Sequence, residues 1–335
     1  MNRKTESRKA DHVRIALTKD VQARTRGTGF DGMEFVHYAL PEMDFEEINT
    51  SISFLGKRLS APLFISSMTG GYAHAEQINR DLAQACQTFH IGLGVGSQRA
   101  MLEDAKMRKT FQVRDAAPDV FLGANIGAVQ LREYGVKAAE KLVSGLEADA
   151  LFVHLNPLQE VVQTEGDRNW RGALKAIEKT CSTLSVPVIV KETGAGIEGV
   201  VASELEKVGV KAIDVSGVGG TSWSAIELYR NGADAGNVFW DWGNRTADCV
   251  KECKRTVSIP IIASGGIRSG LDAAKAIRTG AHLASAAMPF IQAQEQGGKK
   301  GVEKRIRQFV DELKMTMFLT RSKTLAQLRE ANVRT

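Results

Sequence analysis

Long apolar runs are missing from this 335-residue sequence: no stretch approaches the roughly 18 uninterrupted apolar residues that a membrane-crossing helix needs. The N-terminus carries charges where a secretory signal requires an apolar core, and no low-complexity linker interrupts the chain. Cysteine is scarce as well. Of Cys86, Cys181, Cys249 and Cys253, only the last pair is close, with no second pair and no histidine nearby, so a zinc site is not expected. The four thiols read as small buried or half-buried side chains in a reducing compartment, and the protein as cytoplasmic and soluble, without a membrane partner. What is present is a globular composition, 43% hydrophobic and 25% charged. The net charge of +5 is spread along helical patterns except at Arg3 to Arg14 and Lys299 to Arg307. The second stretch has no interleaved aromatics, and nucleic acid is not an expected partner.

From residue 62 onward, short β-branched or apolar runs alternate with longer helical patterns, as in a parallel sheet covered by helices. Eight runs end at Ser66-Ser67, Val95-Gly96, Ala124-Asn125, Val153-His154, Val190-Lys191, Val215-Ser216, Ala263-Ser264 and Ser285-Ala286. Eight strand-helix units close a barrel, whereas a doubly wound sheet more often stops earlier and shows one Gly-rich turn near its start. The expected fold is therefore α/β: a single parallel (β/α)8 TIM barrel over 62–320, preceded by an N-terminal arm and cover (1–61) and followed by a C-terminal tail (321–335). Within the arm, Arg3 to Arg24 reads as a basic arm or short helix and Phe35 to Phe54 as irregular or hairpin-like cover. The long sixth-to-seventh gap needs an excursion, placed at Gly236 to Thr246.

In such a barrel the active site forms at the C-terminal ends of the strands, and here nearly every strand exits into polar residues or glycine. Gly265-Gly266-Ile267-Arg268, with Ala287-Met288 opposite and Gly219-Gly220-Thr221 adding donors, fits a cradle for one phosphate monoester. A flat body attached to that phosphate would meet Ser67, Met68, Thr69, Ser97 and Asn125, which describes FMN. Lys191 leaves the apolar run Val186 to Val190 toward the barrel mouth, where it would face negative charge on a reduced flavin. Its bland alternative is an ion pair with Glu192 or another strand-end carboxylate.

Glu160 could be a general base, a helix-cap partner or the sole protein carboxylate on a Mg²⁺ that fills its remaining positions with water and phosphate oxygens. His154 reads equally as a satisfied core histidine or a substrate contact. If Arg8 to His12 is helical, Arg8 and His12 share a face with Lys9 alongside, a geometry able to clamp a polyanion.

Taken together, Arg-Lys-x-x-His at 8–12, Ser-Met-Thr-Gly-Gly at 67–71, Gly-Ser-Gln-Arg at 96–99, His-Leu-Asn-Pro-Leu-Gln-Glu at 154–160, Lys-Glu at 191–192 and Gly-Gly-Ile-Arg at 265–268 resemble the FMN-dependent type 2 isopentenyl-diphosphate isomerases. The resemblance runs from Arg8 to about Thr320. It implies interconversion of isopentenyl and dimethylallyl diphosphate by reduced FMN, with Mg²⁺, with NADPH as reductant, and in a homo-oligomer such as a tetramer or octamer. By position it implies substrate contacts at Arg8, Lys9, His12, Ser97, Gln98, Arg99, Asn156 and Gln159, and Mg²⁺ at Glu160. FMN contacts are implied at Ser67, Met68, Thr69, Ser97, Asn125, Lys191, Ser216, Thr221, Gly266, Ile267, Arg268, Ala287 and Met288. Gln159, Lys191 and His154 are the candidate catalytic groups, Gln159 as an orienting amide because a neutral amide is a poor base. Trp242-Gly243-Asn244-Arg245-Thr246 departs from the family pattern. The alternatives are an FMN-dependent 2-hydroxy acid oxidase or dehydrogenase, disfavoured because Ser264 stands where such enzymes carry a histidine, and a non-catalytic phospho-ligand barrel, disfavoured by Lys191 with Glu160.

Overall fold

A computed structural model describes residues 3–232 and 235–334. Its centre is a closed parallel barrel of eight strands: Leu63–Ile65, Gly92–Gly94, Leu122–Gly127, Ala150–Leu155, Val188–Glu192, Ala212–Asp214, Ile261–Ala263 and Leu283–Ala286, called first to eighth below. Each lies within the expected apolar runs or next to them, because a strand covered on both faces must be apolar nearly throughout. The barrel is filled by Phe64, Phe152, Ile189, Ala212, Ile262 and Leu283. Phe64 and Phe152 fit because the second and third strands offer glycines: a Cβ on Gly92 would stand 2.2 Å from the Phe64 ring, and one on Gly123 would stand 2.4 Å from Phe152. The outward faces pack against the helices in a larger apolar cluster that includes Val153, Val190, Ile213 and Ala263.

The N-terminal region divides the work of closing the two ends. Ile52–Phe54 and Lys57–Leu59 form an antiparallel hairpin whose Phe54 and Leu59 join the barrel-filling cluster, with Phe54 edge-on to Phe121 just ahead of the third strand. That hairpin plugs the end opposite the strand exits, and it starts at the end of the segment expected to be hairpin-like. The arm Arg3–Thr18 is helical and crosses the other end, where Ile15 and Val21 pack with Ala225, Ile226 and Trp240. It is fastened by Gln22 bridging Thr221 and by Ala23 donating to the Gly220 carbonyl at 2.9 Å.

The C-terminal residues are equally tied down. Thr324 caps the helix Leu325–Arg329 in a reciprocal capping box, and Val333–Arg334 pairs antiparallel with Glu34–Phe35. The excursion after the sixth strand holds the helix Trp223–Asn231, a short turn of helix at Ala235–Val238, and a loop that leaves Trp242 62% exposed. No described helix is long and apolar enough to cross a membrane.

Candidate active site

Along a strand that points alternate side chains into the barrel, the residue two positions beyond an interior apolar group also points inward, nearer the exit. Beyond Phe152, Ile189, Ala212, Ile262 and Leu283 come His154, Lys191, Asp214, Ser264 and Ser285. The apolar core thus ends in a polar floor, and register places Asp214, Lys191 and His154 side by side on three neighbouring strands. Above it lies a cavity of about 270 Å³. Every residue expected to bind substrate, FMN or metal lines this cavity except Gln98.

Gln98 is the correction. Its side chain is fully buried, accepting from the Asn125 backbone at 2.9 Å and donating to the Leu142 carbonyl at 3.5 Å. It holds the third-strand exit in place and has no free face for substrate.

Lys191 is 6% exposed and donates to the Glu192 carbonyl. The ion pair with Glu192 does not form, because Glu192 Oε2 is occupied by the consecutive N–H groups of Thr193, Gly194, Ala195 and Gly196. No carboxylate lies within salt-bridge distance of Lys191 among the described residues, so its charge is left for a ligand. Beside it, His154 is held far below the usual imidazole range, at about 3, by burial and by the Lys191 and Lys9 charges. It is therefore neutral; with Asn125 Oδ1 accepting from Nδ1 at 2.9 Å, its Nε2 is an acceptor.

At the seventh and eighth strand exits, Gly265 and Gly266 adopt φ of +96° and +76°. A Cβ on Gly266 would meet the Gly219 carbonyl at 2.4 Å, so only glycine fits. Among the described residues the Gly266 and Ile267 N–H groups have no acceptor, while Arg268 contacts Gln22 of the arm. Ser67 Oγ and Tyr72 Oη, both in cavity-lining residues, are buried without a partner. Unpaired buried donors, a glycine cradle and a lysine without an ion-pair partner fit FMN.

The opposite side is built from side chains. Lys9 Nζ donates to the Ser97 carbonyl at 2.7 Å and lies 5.5 Å from the Phe111 ring centre. Burial, then the neighbouring Arg8 and Arg99 charges, pull its ammonium down to about 7, with Glu103 opposing. Glu160 is the only carboxylate among the described lining residues. Its oxygens accept from Asn156 Nδ2 at 2.9 Å and the Asp167 N–H at 2.7 Å, which aims the group and leaves lone pairs for a hydrated Mg²⁺.

Two buried carboxylates escaped the sequence reading. Glu227, on the helix after the sixth strand, has no exposed side-chain surface and accepts from Gln159 Nε2 at 3.2 Å and from Arg230 Nε at 2.7 Å. His12 Nε2 lies 2.9 Å from the same carboxylate, off hydrogen-bond alignment. With the Gln163 amide turned to satisfy both neighbours, its nitrogen faces Glu227 at 3.2 Å and its oxygen accepts from Arg8 at 3.1 Å. Burial pushes the Glu227 carboxyl up, but His12 and Arg230 outweigh it and leave it below the usual range, hence ionised. Gln159 is thereby fixed at both ends, since its oxygen accepts from Asn156 at 3.1 Å. The second carboxylate is Asp214 of the floor.

Relatives of known name match this chain over nearly its whole length. The chain is 48% identical to an isopentenyl-diphosphate delta-isomerase of Halobacterium salinarum, over 97% of this chain and 92% of that one. It is 46% identical to the one of Nostoc sp., over 98% and 95%. The chain belongs to the isopentenyl-diphosphate delta-isomerase family. The broader family described as FMN-dependent dehydrogenase matches residues 1–120 and 132–335. Among solved structures, a mutant flavocytochrome b2 with pyruvate bound superimposes at a TM-score of 0.72 with 18% identity, over 96% of this chain and 82% of that one. A lactate oxidase of Pediococcus acidilactici gives 0.69 with 16% identity, over 98% and 93%. These last likenesses show the barrel fold alone, while membership in the isomerase family favours the isomerase reading over the 2-hydroxy acid oxidase.

Proposed function

We propose that this chain interconverts isopentenyl and dimethylallyl diphosphate with FMN and Mg²⁺. The observation that carries the reading is one cavity holding a phosphate cradle at 265–268, the unpaired Lys191 on its floor, and the cations Arg8, Lys9 and Arg99 across from the lone carboxylate Glu160. Arg8, Lys9 and Arg99 grip the diphosphate, and Glu160 directs a hydrated Mg²⁺ to its oxygens.

Moving the double bond requires a proton at one alkene carbon and removal of another from its allylic neighbour. Bound reduced FMN supplies an acid-base centre at the ring edge, and Lys191 favours its anionic form. Gln159 orients the reacting carbon, and the ionised Glu227 behind it fixes the amide by accepting from Gln159 Nε2. His154, held neutral, accepts a hydrogen bond and does not deliver a proton. The reading includes NADPH as reductant, a cytoplasmic location, and assembly as a tetramer or octamer.

The test is an anaerobic assay with FMN, dithionite, Mg²⁺ and isopentenyl diphosphate, following dimethylallyl diphosphate. Absence of product with reduced flavin bound would overturn the isomerase reading.

A further inference from the structure

Of the three inward residues in register at the floor, His154 is neutral, Lys191 carries the cation, and Asp214 is the one carboxyl group. Asp214 is 2% exposed; burial raises its carboxyl above the usual range, while the Lys191 charge, the Ser264 hydroxyl and the Ser216 backbone favour the carboxylate. Ser216 itself adopts a φ of +40°, a left-handed conformation that a non-glycine residue keeps only when its surroundings impose it. Paired positions on neighbouring parallel strands are about 4.8 Å apart, and side chains at such positions point to the same side. Asp214 therefore stands next to Lys191 at the same level inside the barrel, both of them buried. Glu192, the other nearby carboxylate, is turned into the loop Thr193 to Gly196.

We infer that Asp214 is a positioning residue for Lys191, a neighbouring carboxyl group that steadies the ammonium through its charge and moderates the positive field that Lys191 presents to the flavin ring. The inference rests on the flavin reading above. A bare Lys191 would favour the negatively charged reduced ring without restraint; the adjacent carboxylate, steadied by Ser264, offsets part of that preference. Asp214 lies behind the cavity lining, so it acts through its neighbour and not by touching the ligand. The plainer possibility is an acid that merely fastens the strand exit at Ser216.

The experiment compares the affinity of the protein for oxidised FMN in air with that for dithionite-reduced FMN under anaerobic conditions, read by flavin absorbance. In Asp214→Asn the reduced-to-oxidised affinity ratio should rise on the order of tenfold, the size of one screened charge a few ångströms away. Asp214→Glu should return it toward the native value. In a Lys191→Met background the effect of Asp214→Asn should shrink to less than half, the mark of action through Lys191. A ratio unchanged in Asp214→Asn, or a shift of equal size without Lys191, overturns the inference. If Asp214→Asn does not fold, Ser264→Ala decides: loss of the supporting hydroxyl should move the ratio in the same direction by less, and no movement overturns it. Failure of the native protein to bind FMN in either state would instead remove the flavin reading and this inference with it.

Discussion

At one end of the cavity an anion would meet backbone: Gly265 and Gly266, with φ of +96° and +76°, present N–H groups that no Cβ obstructs. At the other end it would meet side chains, with Arg8 and Lys9 brought in on the arm helix and Arg99 following the second strand. The cradle's donors cannot titrate and are fixed by the barrel. The clamp's charges depend on burial and on one another, so its strength changes with pH and with the docking of the arm. A permanently held cofactor suits the first construction, and a substrate that must enter and leave suits the second.

Gly266→Ala should break the comparison most severely. Its Cβ would press on the Gly219 carbonyl at 2.4 Å in a backbone conformation that alanine resists. FMN affinity is expected to fall by about 100-fold or more, with roughly 1–3 kcal/mol of stability lost; fluorescence titration and thermal unfolding measure both.

Glu227→Gln tests the link between clamp and floor. With His12, Gln159 and Arg230 losing their shared carboxylate, kcat should drop about 100-fold while KM changes little. The depressed carboxyl contributes stability above its unfolded value near 4.5 that is lost as pH falls through the folded value. The variant should therefore show a flatter loss of stability below that pH in acid unfolding.

Lys9→Met should weaken the clamp alone: KM for the diphosphate should rise about tenfold with FMN affinity unchanged. Because the free ammonium titrates near 7, the native protein should bind diphosphate less tightly as pH rises through that value, taking up a proton on binding above it. Isothermal titration in buffers of different ionisation enthalpy reads that proton. The sign for stability is opposite: the cost of burying the charge is full below about 7 and disappears as pH rises toward the unfolded value of 10.5.

Trp242→Ala should do least. The ring is 62% exposed and lies outside the lining of the main cavity, so stability should stay within about 0.5 kcal/mol and both affinities should be unchanged. An effect on either ligand would show that the long loop belongs to one of the two ends.

The cradle was legible because its requirements are local. Positive φ demands glycine, and a strand exit followed by Gly-Gly at 265–266 announces itself within a few residues. The clamp was legible only in part: Lys9 and Arg99 belong to motifs, but nothing near Gln98 indicates that its side chain turns inward to bind the Asn125 backbone. Glu227 was hidden because a glutamate three residues before Arg230 on a helix reads as an ordinary surface pair. Asp214 was hidden because it comes before the residues at which the sixth strand was taken to exit.

What the amino-acid order determined by itself is the barrel and the address of the site, since apolar runs of strand length with polar exits, repeated eight times, leave few other ways to bury that surface. Only the tertiary structure decided which of those exits share charge. The row Asp214, Lys191, His154, the carboxylate beneath Gln159 and the depressed Lys9 all arise from closing the ring and laying the arm across it. Closure brings residues far apart in the chain within a few ångströms and strips them of water, and the strength of a charge depends on that separation and that solvent.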